Sequence, residues 1–99
     1  MKGNFDKWIN GSLPVLVNFC AEWSGPCMAL IPIIKETEKS LKGKVLVVKI
    51  DVDRNPNISQ RFQVRGVPTL GLFKNGKILW KQSGIQTKQE LINIVNQYI

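Results

Sequence analysis

The chain has no histidine and only two cysteines in 99 residues. Without an imidazole no Ser-His-Asp triad can be assembled, and any hydroxyl nucleophile would need a different base. Two cysteines without histidine cannot supply a four-ligand Cys/His zinc site within one chain. They are also too few for a secreted scaffold held together by disulfides. Long apolar runs are missing too: nothing approaches the ~20 consecutive apolar residues of a membrane span. The opening residues Met1-Lys2-Gly3-Asn4-Phe5-Asp6 are polar and mixed and lack the apolar core of a signal peptide. The expectation is therefore a cytoplasmic chain with no membrane partner. Acidic residues are scarce, seven against fourteen Lys and Arg, for a formal charge of +7. The basic residues are spread along the whole chain, with no basic helix and no aromatic-plus-basic RNA-binding motif. The charge is read as a soluble surface that favours acidic protein partners, with no nucleic acid bound.

Ninety-nine residues, of which 43% are apolar, make one domain over 1–99 with a real core. Asn4 to Asn10 reads as a short amphipathic helix with Asn4 as its N-cap and Phe5, Trp8 and Ile9 on one face. Val15-Leu16-Val17-Asn18-Phe19-Cys20 is an almost unbroken apolar, β-branched run, expected as a strand buried on both faces. A helix follows from about Pro26, with Cys27, Leu30, Ile31, Ile34 and Leu41 inward and Gly43 as the residue that ends it. Pro32 inside that pattern removes a backbone hydrogen bond and is expected to kink it. Val45 to Ile50 reads as a second buried strand, joined to the first by a βαβ connection. A short helix is expected over Pro56 to Phe62 and a third strand over Leu70 to Phe73. Asn75-Gly76 signals a hairpin into a lysine-bearing edge strand, Lys77 to Lys81. Gly84 suggests a bulge or a close backbone approach. Thr87 with Glu90 is a capping box, opening a last helix that buries Leu91, Ile94, Val95 and Tyr98. The resulting order predicts an α/β fold, a mixed central sheet of about four strands with helices on both faces.

Trp23-Ser24-Gly25-Pro26-Cys27 lies at the carboxyl end of the first strand, where it feeds a helix N-terminus. Open α/β sheets place reactive groups at such turns. The stretch resembles the Trp-Cys-Gly-Pro-Cys active site of thioredoxins. Pro32, Val67-Pro68-Thr69 and Gly84 add to the likeness, which covers nearly the whole chain from Phe5 onward. The resemblance implies a thioredoxin fold, a cis bond before Pro68, and a family edge strand that is missing here before Phe5. It further implies that Trp23, Gly25, Pro26, Gly66, Val67, Pro68, Gly84 and Ile85 form an apolar surface holding an extended or disulfide-containing client. A monomer with no bound cofactor is implied, with a flavin- and NADPH-dependent reductase as the electron source.

Three positions depart from the family's pattern. Ser24 stands where the attacking cysteine belongs, so Ser24 and Cys27 cannot cycle as a dithiol, and Cys27 keeps only the resolving position. Asn18 stands where the family commonly has a buried Asp that accepts a proton; Lys49 would then face an amide instead of a carboxylate. Cys20 stands where a large aromatic is common. It is expected as a buried small hydrophobe, although a Cys20–Cys27 disulfide forms if their Cα atoms come within ~7 Å. The expected function is therefore thiol–disulfide exchange with its attacking cysteine replaced. A non-catalytic client-binding module, or a Cys27 monothiol or Cys20–Cys27 redox switch, are the alternatives. A Ser24 hydrolase would require Lys49 as base, and no oxyanion-hole motif accompanies it.

Overall fold

Strand alternation decides which side of the sheet each helix covers. The computed structural model describes residues 2–99, with side chains from Phe5 onward. The order is α1 (Lys2–Ile9), β1 (Val15–Cys20), α2 (Gly25–Ser40), β2 (Leu46–Asp51), α3 (Pro56–Arg61), β3 (Thr69–Lys74), β4 (Lys77–Ser83) and α4 (Lys88–Tyr98). The four strands form one sheet in the order β2-β1-β3-β4. β1 runs parallel to β2 and antiparallel to β3, and β4 returns antiparallel to β3. This is the mixed, helix-covered sheet expected. No helix among the described residues is long and apolar enough to cross a membrane.

β1 is buried along its whole length. Its odd side chains, Val15, Val17 and Phe19, pack with Phe5, Ile9, Ile50, Ile58 and Phe73 on one face of the sheet, beneath α1 and α3. On the opposite face, Leu16 and Leu72 pack with Leu41 and Val95, and Leu70 packs with Leu30, Ile34 and Leu91, beneath α2 and α4. Asn18 and Cys20 share the parity of Leu16, so they belong to the α2 side.

Several local expectations change. α1 starts at Lys2, so Asn4 lies inside the helix and not at its cap; its side chain falls outside the described residues. Phe5 and Ile9 are buried but Trp8 is exposed, because an eight-residue helix turns only part of its surface to the sheet. α2 continues through Pro32, whose ring sits on the solvent side. It ends at Ser40, where Leu41 N–H donates to Thr37 O at 3.0 Å. Gly43, at φ +83°, lies in the following turn, one residue beyond the expected position. β2 is mostly half-buried, with Leu46 and Lys49 exposed and only Ile50 fully buried, since nothing pairs with its outer edge among the described residues. The apolar run of β2 therefore lies at an edge, not at the centre of the sheet.

The hairpin forms as the Asn75-Gly76 signal requires. Both residues have positive φ, 53° and 80°, the combination that matches the twist of the flanking strands. A Cβ on Gly76 would also run into the Asn10 side chain. The sheet's irregularity sits between Leu72 and Phe73, not at Gly84. Gly84, at φ +96°, instead makes a close approach: its N–H donates to Pro68 O at 2.9 Å.

At α4 both capping-box bonds are present: Glu90 N–H to Thr87 Oγ1 at 3.1 Å and Thr87 N–H to Glu90 Oε1 at 2.8 Å. They hold the Glu90 carboxyl below its ordinary 4.5, the backbone bond contributing most. Thr87→Ala is expected to cost about 1 kcal/mol, or a fall in Tm of roughly 4–8 °C for a chain of this size, measurable by calorimetry.

Candidate functional site

The turn between β1 and α2 is closed by short-range hydrogen bonds. Ser24 N–H donates to Ala21 O at 3.2 Å, and Met28 N–H donates to Ser24 O at 3.1 Å. Ser24 is the N-cap of α2: its backbone is extended, and its Oγ accepts the Cys27 N–H at 3.2 Å. Serine is among the side chains best suited to that position. Its hydroxyl is thus engaged in holding the helix end, and Ser24 is only 4% exposed. Gly25 and Pro26 open the helix on the solvent side, and Cys27 turns inward.

Trp23 is 73% exposed and fixed by a bond from Nε1 to Asp53 Oδ2 at 2.9 Å. Asp53 is in turn positioned by its N–H donating to Asp51 Oδ1 at 2.9 Å. Sequence reading missed Asp53; the Asp51-Val52-Asp53 pattern just after a strand was the only local signal, and the bond spans thirty residues. Beside the indole lies a shallow cavity of about 120 Å³ lined by Trp23, Val52, Val64, Arg65, Gly66 and Val67. The Val67–Pro68 bond is cis. The turn is closed by Thr69 Oγ1 donating to Gly66 O at 2.7 Å. Pro68 is buried, while Ile85, just after Gly84, is exposed. The structure therefore brings Trp23 together with Gly66 and Val67, and joins Gly84 to Pro68.

Below the turn sit the two sulfurs. Cys20 is 2% exposed and Cys27 1% exposed, and both are free thiols. Cys20 Sγ donates to Asn18 Oδ1 at 3.1 Å, so the buried amide oxygen has a partner. Burial pushes the Cys20 thiol from an ordinary 9.0 up to about 12. Cys27 adds to the rise, while Asn18 and Lys49 act the other way. Lys49 pairs with Asn18 in the strand register but is itself exposed. The two line a groove of about 300 Å³ together with Ile31, Ile34, Lys35 and Glu38.

The raised Cys20 value has a consequence for stability. The folded state keeps this proton where the unfolded chain releases it, so the contribution is complete below pH 9 and is lost as pH rises toward 12. Urea denaturation between pH 8 and 12 is expected to show a steeper loss for the natural chain than for Cys20→Ala. Equal slopes would contradict the assignment.

The Thioredoxin family model matches residues 1–97. A thioredoxin from Rickettsia felis is 48% identical over 91 residues, covering 92% of this chain and 87% of that protein. One from Rickettsia conorii is 45% identical over 100 residues, covering all of this chain and 95% of that protein. Among solved structures, a mutant thioredoxin from Halobacterium salinarum superposes with a TM-score of 0.87 at 33% identity, covering 97% of this chain and 83% of that one. With the family model over nearly the whole chain, relatives above 40% identity and a matching solved fold, the chain belongs to the thioredoxin family.

Proposed function

We propose that this protein is a thioredoxin-type member of the thiol–disulfide system in which the attacking position is held by Ser24, so that Ser24 and Cys27 do not cycle as a dithiol. The observation that carries the reading is the Ser24 hydroxyl bound at the α2 N-terminus as acceptor from Cys27 N–H. A hydroxyl there has no histidine to activate it. It also cannot form a disulfide with a client. Cys27 retains the resolving position, with Asn18 and Lys49 in the places of the proton-handling pair.

The surface beside the site remains suited to an extended client. Exposed Trp23 and Ile85, the shallow cavity at Gly66 and Val67, and cis-Pro68 support this. Gly25, Pro26 and Gly84 complete that surface. These features favour a second reading, a module that holds disulfide-containing or extended polypeptides without exchange. In either reading the protein acts as a cytoplasmic monomer and a single domain, bound to no nucleic acid; a flavin- and NADPH-dependent reductase is the family's electron source, and it has no Ser24–Cys27 disulfide to reduce here.

The insulin-precipitation assay with dithiothreitol tests the first reading. The natural chain is expected to give no acceleration over dithiothreitol alone, and Ser24→Cys is expected to accelerate it strongly. Acceleration by the natural chain, or none by a folded Ser24→Cys variant, would overturn it. The binding reading is tested by titrating an extended peptide and following Trp23 fluorescence, with Val67→Glu expected to abolish the change.

A further inference from the structure

Cys20 and Cys27 carry the only thiols of the chain and come from different elements, the last residue of β1 and the first turn of α2. β1 turns Leu16, Asn18 and Cys20 to the side covered by α2. Cys27 lies on the buried face of α2 with Leu30 and Ile34. The intervening turn doubles back through the Ser24–Ala21 bond and the Ser24–Cys27 cap, both 3.2 Å. This return sets both thiols on the side of β1 that α2 covers, close enough for Cys27 to act on the Cys20 proton. The Asn18 amide holds the Cys20 thiol at 3.1 Å and so fixes where its sulfur lies. With serine at 24, Cys20 is the one other thiol in the chain.

We propose that Cys20 and Cys27 are a reversible oxidation site, closing to an intramolecular disulfide with a small hydroperoxide as oxidant. The proposal rests on the thiol-redox reading of this site and adds to it a second sulfur and a class of oxidant. A small oxidant is favoured over a protein disulfide because both sulfurs are at most 2% exposed. Disulfide exchange needs in-line approach to the attacked sulfur, which a bulky client cannot make at such depth.

The reaction balances without any other reagent. The Cys27 sulfur attacks the peroxide, the O–O bond breaks, and sulfenic acid forms at Cys27 with release of water or an alcohol. The Cys20 sulfur then displaces the sulfenic oxygen, the S–S bond forms, and the proton from Cys20 leaves with that oxygen as water. Two electrons pass from the two thiols to the peroxide. The two sulfurs can exchange these roles without changing the product or its mass. A small dithiol such as dithiothreitol reverses the change by two exchange steps.

The test uses the 99-residue chain with no substitution. The reduced protein is treated with hydrogen peroxide, quenched in acid, alkylated under denaturing conditions and mapped by mass spectrometry. The expected result is loss of both alkylatable thiols, loss of two hydrogens in mass, a linked peptide containing Cys20 and Cys27, and full recovery with dithiothreitol. Two alkylatable thiols after treatment, independent sulfinic acids at each position, or a disulfide between two chains would each overturn the proposal. Because the natural chain is the sample, poor folding of a variant does not affect the outcome. The exchange reading is judged separately, by insulin reduction with Ser24→Cys in a Cys20→Ala background. Activity there alongside two unreacted thiols in the natural chain would remove this proposal and leave that reading standing. A Cys20–Cys27 bond with no activity there would do the reverse.

Discussion

Phe73→Ala is expected to destabilise the protein by about 3–5 kcal/mol, the range for removing a fully buried aromatic ring. Phe73 is fully buried, and three other phenylalanine rings meet it. Its ring centroid lies 4.9 Å from Phe62, 5.9 Å from Phe5 and 6.5 Å from Phe19, each at a steep interplanar angle. These rings come from α1, β1 and the end of α3, so Phe73 is the point at which three elements are tied to β3. Edge-to-face geometry adds about 0.5–1.5 kcal/mol per pair beyond area burial, and the cavity left by alanine could not be filled without moving the sheet. For a protein whose whole stability is of order 5–15 kcal/mol, the loss would lower the urea midpoint sharply. Leu13→Ala, at an exposed position, serves as control and is expected to stay within about 1 kcal/mol. A Phe73→Ala loss as small as the control's would show that the cluster on the α1–α3 face does not hold the fold.

Ser24→Cys is expected to raise the rate of insulin disulfide reduction by at least about a hundredfold. A thiolate is a competent nucleophile at neutral pH and a serine hydroxyl without a base is not. The replacement places the sulfur at the N-terminal end of a sixteen-residue helix, three residues before Cys27, where partial positive charge favours an anion. The same substitution removes the hydroxyl that accepts Cys27 N–H, so it should also cost on the order of 1 kcal/mol of stability. Activity and stability are therefore expected to move in opposite directions. A rise in both would indicate that the hydroxyl is not the cap described above. Asn18→Asp in the Ser24→Cys background is expected to raise the rate further and to make it depend on the ionisation of the new carboxyl, read from the pH profile. That side chain meets Cys20, and residue 18 lies opposite Lys49 in the register of β1 and β2.

The elements that could be read from the sequence were those with local causes. β1 announced itself because a strand in the middle of a sheet is apolar on both sides. The hairpin did so because Asn75 and Gly76 tolerate positive φ, and α4 because Thr87 and Glu90 satisfy each other's backbone within one turn. Readings failed where the cause was distant. Val47 and Val48 look like a buried strand, yet β2 lies at the edge because nothing pairs with its outer side among the described residues. Trp8 matched the helical face of Phe5 and Ile9 but is 38% exposed. The Trp23–Asp53 bond and the positive φ of Gln63 had no local signature that was recognised.

By itself the sequence determined the chemical inventory of this protein. It has no imidazole, a serine at position 24, thiols at 20 and 27, and an amide at 18, because ionisable groups belong to residues and not to folds. Only the tertiary structure decided which of these groups meet. Cys20 and Cys27 share the α2 side of the sheet because the parity of β1 turns Cys20 toward α2 and Cys27 lies on the buried face of that helix. Trp23 stands over the Val67 turn because Asp53, thirty residues away, holds its ring. Such adjacency comes from packing a helix onto one face of a sheet, a cooperative outcome of burying apolar surface that no short stretch of residues encodes.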